Sequence, residues 1–511
     1  MQHDKSSKWK RISAASRALL MGAALVFPAL GSSAIAKPSA PAQVPAPKRM
    51  NVLFIIADDL RVGSAFGTNE VRMPNVDALA AKGVRFTQAQ TQFPLCGPSR
   101  ASFLSGLRPN SVKVYDLDTS IRGNKPDLVT MPQYFRQNGY FTAAVGKLHH
   151  QGVPGTIGLP PEKDPHHDPL SWDVAYKPIG VDKEIEWDDK LINPSHFHPG
   201  IAMAWYADPS GKPHTDDLVA DKTIELIQQN KDHPFFIAAG FYRPHVPEIA
   251  PKAYFDQYAK IQWQPESRPD TSGIKRKEMD QGLSVDQERE FVRGYYASMS
   301  FMDAQVGRIL AGLEKSGVAD RTIVVFTSDH GFNLGEHGHW EKTVLWRQST
   351  EVPLVIYAPK ARGNGKTAAQ PVELVDLYQT LADMAGLPAP VGPEGHSLRP
   401  LLENPKSKAW NYPAQSQVVN GRSVRYKQWR YSEWGVNGSD GAELYDLSKD
   451  PGEYHNLARL QRYAATVARL KPMLPPPPPP STAAKVSNEG QLYQFVPGGR
   501  QKMPASWPPV R

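Results

Sequence analysis

From Asn51 onward, unbroken apolar runs alternate with amphipathic stretches, and each run stops abruptly at polar residues. Asn51 to Ala57 (NVLFIIA) is apolar at every position after Asn51 and ends at Asp58-Asp59. Continuous hydrophobicity of this kind predicts a central parallel strand buried on both faces. Pro234 to Gly240 (PFFIAAG) and Thr322 to Thr327 (TIVVFT) predict two more, and Tyr140 to Val145 and Val352 to Ala358 a further pair. Helices are predicted between them: Asn75 to Lys82 closed by Gly83, Met131 to Gln137, and Asp217 to Gln229. A longer helix carries Tyr295, Met299, Met302, Val306, Ile309 and Leu313 on one stripe and closes near Gly317. That stripe reads as core and is assigned no chemistry. Leu374, Tyr378, Leu381 and Met384 mark one more helix, ended by Gly386.

Other stretches lack such a period. Residues 151–215 are rich in Pro, His and Trp, and so long a loop is either functional or disordered. Residues 261–284 are polar and irregular. Beyond Glu403 the character changes. Short alternating segments around Arg422 to Trp434 and at Glu443 to Leu447 predict a small antiparallel sheet followed by a final helix. Pro475 to Pro480 predicts polyproline II and the tail beyond it an exposed arm. There are no internal repeats.

The first 36 residues read as an export signal. Lys5, Lys8, Lys10, Arg11 and Arg17 form its charged start, Ala18 to Leu30 its short apolar core, and Ala34-Ile35-Ala36 its cleavage site. This predicts a periplasmic or secreted protein. Residues 37–48 form a Pro/Ala linker. The expected division is then a catalytic domain over 49–403, a small sheet subdomain over 404–473 and a Pro-rich tail over 474–511. After the signal, no apolar run is long enough to span a bilayer.

Composition narrows the partners. The formal charge is +8, and the five basic residues and Asp4 of the signal leave about +4 for the rest. No Lys/Arg-rich block or aromatic-basic stripe points to nucleic acid. A mildly basic surface is compatible with anionic substrates. With one cysteine in 511 residues there can be no intramolecular disulfide, so a large core must supply the stability.

That cysteine lies in Pro94 to Pro109, PLCGPSRASFLSGLRP. Pro98 suits the first position of a helix, Gly106 is its terminator, and Pro109 stops any continuation. Cys96 is thereby placed at a helix N-terminus, where unpaired N–H groups favour anions and depress a thiol's pKa. Arg100 adds a fixed cation within one turn. Strand ends supply more chemistry, because ligands of open α/β sheets collect beyond the strands' carboxyl ends. Asp58 and Asp59 occupy one such end, Asp329 and His330 another. Paired carboxylates call for a cation, and hard oxygen ligands suit Ca²⁺ or Mg²⁺. Arg100, Lys147, His150, His245 and Lys342 form a second set, placed to stabilise charge developing on a tetrahedral anion. Neighbouring His149, His337 and His339 read as ordinary hydrogen-bonded histidines.

Cys-x-Pro-Ser-Arg followed by a small-residue helix and Gly-x-Arg-Pro resembles the signature of the type I sulfatases, in which an enzyme oxidises this cysteine to formylglycine, whose hydrate is the nucleophile. NVLFIIADDL, CGPSR, SDHGFNLGEHGHWEK and LYDLSKDPGEYHN extend the resemblance over roughly residues 51–458. Within the family, Gly146-Lys147-x-x-His150, Arg243-Pro244-His245 and His337-Gly338-x-Trp340-x-Lys342 are most similar to iduronate-2-sulfatase-type enzymes. The resemblance implies an alkaline-phosphatase-like α/β fold, with a mixed, mostly parallel sheet flanked by helices and a smaller C-terminal antiparallel sheet. It implies that Asp58, Asp59, Asp329, His330 and the modified Cys96 surround Ca²⁺, ahead of Mg²⁺. His330 stands where Asn is commoner in the family. Arg100 and Lys147, with His150 alongside, would hold the hydrate and sulfate oxygens, and His245 and Lys342 would face the leaving group. The expected activity is hydrolysis of a sulfated carbohydrate, with a formylglycine-generating enzyme as maturation partner. The rivals are a phosphodiesterase or phosphonate monoester hydrolase of the same superfamily, and a Ca²⁺-dependent sulfated-glycan-binding protein should Cys96 stay unmodified.

Overall fold

The computed structural model describes residues 49–62, 71–150, 158, 163, 167–195, 197, 199–265, 281–477 and 479. The expected signal, linker and end of the tail lie outside the described residues, as do parts of the 151–215 and 261–284 stretches.

In chain order the first strands are β1 (Asn51–Ala57), β2 (Val84–Gln90), β3 (Phe141–Gly146), β4 (Val174–Tyr176), β5 (Trp205–Asp208), β6 (Phe235–Gly240), β7 (Glu248–Pro251) and β8 (Thr322–Ser328). Then come β9 (Asn333–Leu334), β10 (Trp340–Glu341), β11 (Glu351–Tyr357), β12 (Thr367–Ala368), β13 (Val372–Glu373), β14 (Ala414–Val418), β15 (Gly421–Tyr426), β16 (Trp429–Trp434) and β17 (Gly441–Asp446). Nine strands make the main sheet, in the order β12-β2-β11-β8-β1-β6-β3-β4, with β13 also on β2. β1 pairs in parallel with both β6 and β8, and β11 is antiparallel to its two neighbours.

The unbroken apolar run of β1 has a direct cause. Leu53, Ile55 and Ala57 enter the core on one face, and Val52, Phe54 and Ile56 enter the core on the other. The first core is covered by helices Thr215–Gln229 and Val285–Ser316, the second by Cys96–Ser105, Met131–Gln137 and Asp376–Met384. The six stripe residues of Val285–Ser316 are all buried. Each large apolar side chain so buried contributes roughly 1.5–3 kcal/mol relative to exposure. Ser284 and Gln287 form a capping box at this helix's start, and Gly317 closes it at φ 72°.

β2 is absent from the elements that the apolar runs predict, because four of its seven residues are polar. The 151–215 stretch is also more ordered than its composition implies, for it holds β4, the helix Val181–Ile185 and β5.

The C-terminal sheet runs β14-β15-β16-β17, antiparallel throughout. One of its faces packs on Leu470 and Leu474. Buried Arg430 ties it to the segment leading into β11, donating to Thr350 Oγ1 at 2.9 Å and the Leu345 carbonyl at 3.1 Å. Among the described residues no helix is long and apolar enough to cross a membrane.

Candidate active site

Four adjacent strands, β8-β1-β6-β3, deliver their carboxyl ends to one place. β1 runs into Asp58 and Asp59, β8 into Asp329 and His330, β6 into the loop holding His245, and β3 into Lys147. Helix Cys96–Ser105 enters from one side of the sheet with all ten residues buried.

The helix begins at Cys96, so Pro98 is its third residue, not its first. Ser99 is the first residue whose N–H reaches a helical acceptor, the Leu95 carbonyl at 3.0 Å. Pro98 therefore sits at the last position where a missing N–H costs nothing. Gly97 is required by space, since a Cβ there would lie 2.5 Å from the Asp116 carbonyl oxygen. Gly106 ends the helix at φ 70°, as expected, while Pro109 opens a new turn, Pro109–Val112.

Cys96 Sγ lies 3.2 Å from His330 Nε2, 3.3 Å from Lys342 Nζ and 3.8 Å from Asp59 Oδ1. Lys342 donates to both oxygens of Asp59, at 2.7 and 2.8 Å. Arg100 spans two carboxylates, Asp329 at 2.8 Å and Asp58 at 3.1 Å, and Lys147 donates to the other oxygen of Asp58. His330 Nδ1 lies 2.9 Å from the Gly331 carbonyl. A carbonyl can only accept, so this ring donates there and turns Nε2 toward the cluster. His245 is held likewise, Nδ1 donating to the Val246 carbonyl at 2.7 Å, with Nε2 3.9 Å from Asp59 Oδ2. The Nδ1 of His150 is buried without a hydrogen-bond partner.

Electrostatics follow from this crowding. Burial pushes Asp58 upward, but Lys147 and then Arg100 overcome it and hold the carboxyl well below its usual range. Asp59 goes the other way, raised to about 7 by burial with Lys342 opposing. Burial would raise the Cys96 thiol, yet Lys147 and Lys342 bring it down. His330 resists the lowering effect of burial because Asp329, Cys96 and Asp59 surround it, and it reaches about 9. His150 and His245 are held well below the ordinary histidine value, by burial first and the lysines next.

The backbone is strained here. Asp59 has φ 65°, and Glu341 and Thr343, on either side of Lys342, have φ 67° and 71°. Each such conformation costs on the order of 1 kcal/mol, and the cost persists only where surrounding structure enforces it. Among the described residues, solvent reaches the site at His245 and Lys342. The His245 and Lys342 side chains are 19% and 13% exposed, against 2% or less for Asp58, Asp59, Arg100 and Lys147.

The expected site residues thus gather around Cys96. Outside that centre, His149 accepts from the Trp172 indole at 3.2 Å and His337 stacks on Trp346 at 4.0 Å, which are structural roles. Sequence reasoning missed several supports. The Tyr295 hydroxyl donates to the Asp59 carbonyl at 2.7 Å, although its helix stripe reads as core. Asp216 accepts from the backbone N–H groups of Tyr242 and Arg243, at 2.9 and 3.0 Å, and so steadies the His245 loop. The one available signal for Tyr295 was a hydroxyl in an otherwise apolar stripe, since a buried tyrosine tip needs a partner.

A metal fits the donor set. Oxygens of Asp58, Asp59 and Asp329 lie within 4.8 Å of one another, as do the ligand atoms of Asp59, Cys96 and His330. Three carboxylates this close suit a hard divalent cation.

Residues 50–387 match the family model described as Sulfatase. The chain belongs to the sulfatase family. Residues 335–475 of this sulfatase match a second model, described as N-sulphoglucosamine sulphohydrolase, C-terminal. A sulfatase of Formosa agariphila is 32% identical over 452 residues, covering 83% of this chain and 86% of the relative. Iduronate 2-sulfatase of Mus musculus is 30% identical over 548 residues, with coverages of 87% and 97%. Choline-sulfatase of Rhizobium meliloti is 30% identical as well, over 445 residues, with coverages of 81% and 83%. Equal identity to enzymes with such different names makes this chain a sulfuric-ester hydrolase without selecting iduronate. Among solved structures, a protein in complex with its substrate D-glucosamine-2-N,6-O-disulfate superposes with TM-score 0.66 at 23% identity, covering 87% of this chain and 98% of the other. A phosphonate monoester hydrolase from Silicibacter pomeroyi gives 0.67 at 21%, with coverages of 88% and 97%. These likenesses are of fold, and the fold is alkaline-phosphatase-like. Sulfatases of the family use formylglycine and a divalent metal, and this one has a single cysteine beside a carboxylate and histidine cluster able to take one.

Proposed function

We propose that this sulfatase acts after export, in the periplasm or medium, and removes sulfate from a sulfated saccharide. In this reading a formylglycine-generating enzyme converts Cys96 to formylglycine, and Ca²⁺ is held by Asp58, Asp59, Asp329, His330 and the modified Cys96. The observation that carries the reading is the convergence of Lys342, Lys147 and Arg100 on Cys96 and its carboxylates, with the opening on the Lys342 and His245 side.

The hydrated aldehyde and the metal supply, when present, a nucleophilic hydroxyl and charge neutralisation for sulfate oxygens. The chain's own side chains do the rest. Arg100 fixes Asp58 and Asp329 relative to each other and, with Lys147, adds positive charge where the sulfate group is held. His150, buried beside Lys147, offers a ring nitrogen to the same group. Lys342 stands at the mouth, where negative charge on the departing sugar oxygen develops. His245 protonates that oxygen. Its Nδ1–H is committed to the Val246 carbonyl, so only the doubly protonated ring can give a proton, and it gives that of Nε2. Burial and then the lysines hold the ring well below the ordinary histidine value in the free enzyme, so Nε2 takes up its proton from solvent when an anionic ester between His245 and Lys342 opposes that repulsion.

Several names among the relatives support a sugar substrate, including an N-acetylglucosamine-6-O-sulfatase of Bacteroides thetaiotaomicron, 27% identical over 500 residues. The test is a panel of defined sulfated monosaccharides and oligosaccharides, assayed for free sulfate. Turnover of at least one sugar sulfate is expected. Turnover of phosphonate monoesters alone would overturn the reading.

A further inference from the structure

Away from Cys96, a groove of about 530 Å³ opens between the segment 406–412, the β12–β13 connection and the turn joining β15 to β16. Its size falls in the range of small-molecule sites, about 300–1,000 Å³. Lys406, Lys408, Arg425 and Lys427 line it, and among the described residues no Asp or Glu does. Three aromatic side chains share the lining: Trp410, Tyr412 and Tyr426.

Three polar atoms in this wall are buried without a hydrogen-bond partner: Gln88 Oε1, Gln370 Oε1 and Arg425 Nε. Arg425 is only 4% exposed and spends its Nη1 on backbone carbonyls, including that of Trp429 at 3.2 Å. Burial, with Arg430 beside it, lowers this guanidinium to about 10. Such a group gains from a nearby anion, and a buried unpaired donor is costly until it is met. The aromatic wall is fixed rather than loose. Trp410 Nε1 donates to the Pro371 carbonyl at 2.9 Å, Tyr412 stacks on His396 at 3.8 Å, and the Tyr426 hydroxyl donates to Asn411 Oδ1 at 2.8 Å. Tyr412 is nonetheless 43% exposed.

Cations beside fixed aromatic faces describe one class of ligand. A sulfated sugar carries anionic groups for the cations and an apolar C–H face for a ring. We propose that this groove is a second, non-catalytic binding site that holds a sulfated sugar unit of a polysaccharide. It rests on the reading of the substrate as a sulfated saccharide. The groove is separate from the catalytic opening. Gly421 and Trp434, at one end of the β15–β16 hairpin, pack at Leu345 near the catalytic lysine, while the groove lies at the other end. Three residues of strand, Arg422 to Val424, separate Gly421 from Arg425 at the groove, about 14 Å at the usual rise. A polymer held there keeps its other units near the catalytic mouth, raising their effective concentration.

The test measures binding of the intact protein to immobilised dextran sulfate, with unsulfated dextran and polyglutamate as controls. Replacing three exposed cations together (Lys406→Ala, Lys408→Ala, Lys427→Ala) should weaken dextran sulfate binding at least tenfold. Hydrolysis of a small sulfated monosaccharide and the thermal unfolding midpoint should stay unchanged. Tyr412→Ala should weaken binding of dextran sulfate and leave that of polyglutamate as it was. Unchanged dextran sulfate affinity in the triple variant, or no binding by the natural protein, overturns the site. Tyr412→Ala affecting both polymers alike, or neither, overturns the assignment to a sugar. Binding needs no turnover, so an inactive preparation leaves this test valid, and lost binding with intact hydrolysis would support the groove alone.

Discussion

The ammonium of Lys342 lies 3.3 Å from Cys96 Sγ while gripping both oxygens of Asp59. A single cation therefore connects the nucleophile position to a proposed metal ligand, at the open side of the site. Lys342→Ala should lower turnover of sugar sulfates by roughly 10²–10³-fold, the scale of one lost charge-stabilising donor. Steady-state kinetics with a defined sugar sulfate measure it. A change confined to KM would place Lys342 in substrate binding only.

His245→Ala separates proton donation from charge stabilisation. Sugar alkoxides are poor leaving groups and need a proton, whereas a nitrophenolate does not. Hydrolysis of a sugar sulfate should slow by roughly 10²–10⁴-fold. An activated aryl sulfate should slow far less. If both substrates slow by one common factor, the acid is another group, and Lys342 is next in line.

Asp58 bears on the metal. It sits between Arg100 and Lys147, and its oxygens belong to the three-carboxylate cluster. Asp58→Asn should lose bound metal and activity together. It should also lower the melting temperature, because two buried cations lose part of their partner. Elemental analysis beside a turnover assay reads the outcome. Unchanged turnover in a preparation verified as metal-free would count against the metal site.

Much of this arrangement was legible in the chain, and for a physical reason. Parallel strands buried on both faces must be continuously apolar, so NVLFIIA and TIVVFT announce themselves, and the first charged residues after them fall at the sheet's carboxyl edge. That rule alone brings Asp58, Asp59 and Asp329 together. Partly exposed strands leave no such trace: Arg85, Thr87 and Gln88 make β2 look like loop. Tyr295 was hidden because a tyrosine contributes to an apolar stripe whether or not its hydroxyl reaches the site. Helix Cys96–Ser105 was found but misplaced by two residues at its start. A proline fits anywhere in a first turn, and sequence does not tell its first position from its third.

Glu248 offers a test by pH outside the cluster. It is fully buried and its carboxyl is raised to about 8, chiefly by burial. The unfolded chain ionises this group near its ordinary value, about 4.3, while the folded protein keeps it protonated to about 8. The unfolded state thus binds fewer protons between those values, and stability falls as pH rises through that window, by a few kcal/mol at its upper end. Glu248→Gln removes this dependence. Its melting temperature should match that of the natural protein near pH 5 and exceed it increasingly toward pH 8. A gap that does not change with pH would contradict the buried neutral acid.

The central claim is that turnover depends on a formylglycine made from Cys96. Mass spectrometry of the Cys96 peptide, taken from fractions of known specific activity purified from the native host, tests it most directly. The expected result is a peptide lighter than its thiol form, with activity rising in proportion to the modified fraction, and none in Cys96→Ala. Full activity in a fraction whose Cys96 peptide is entirely unmodified thiol would contradict it.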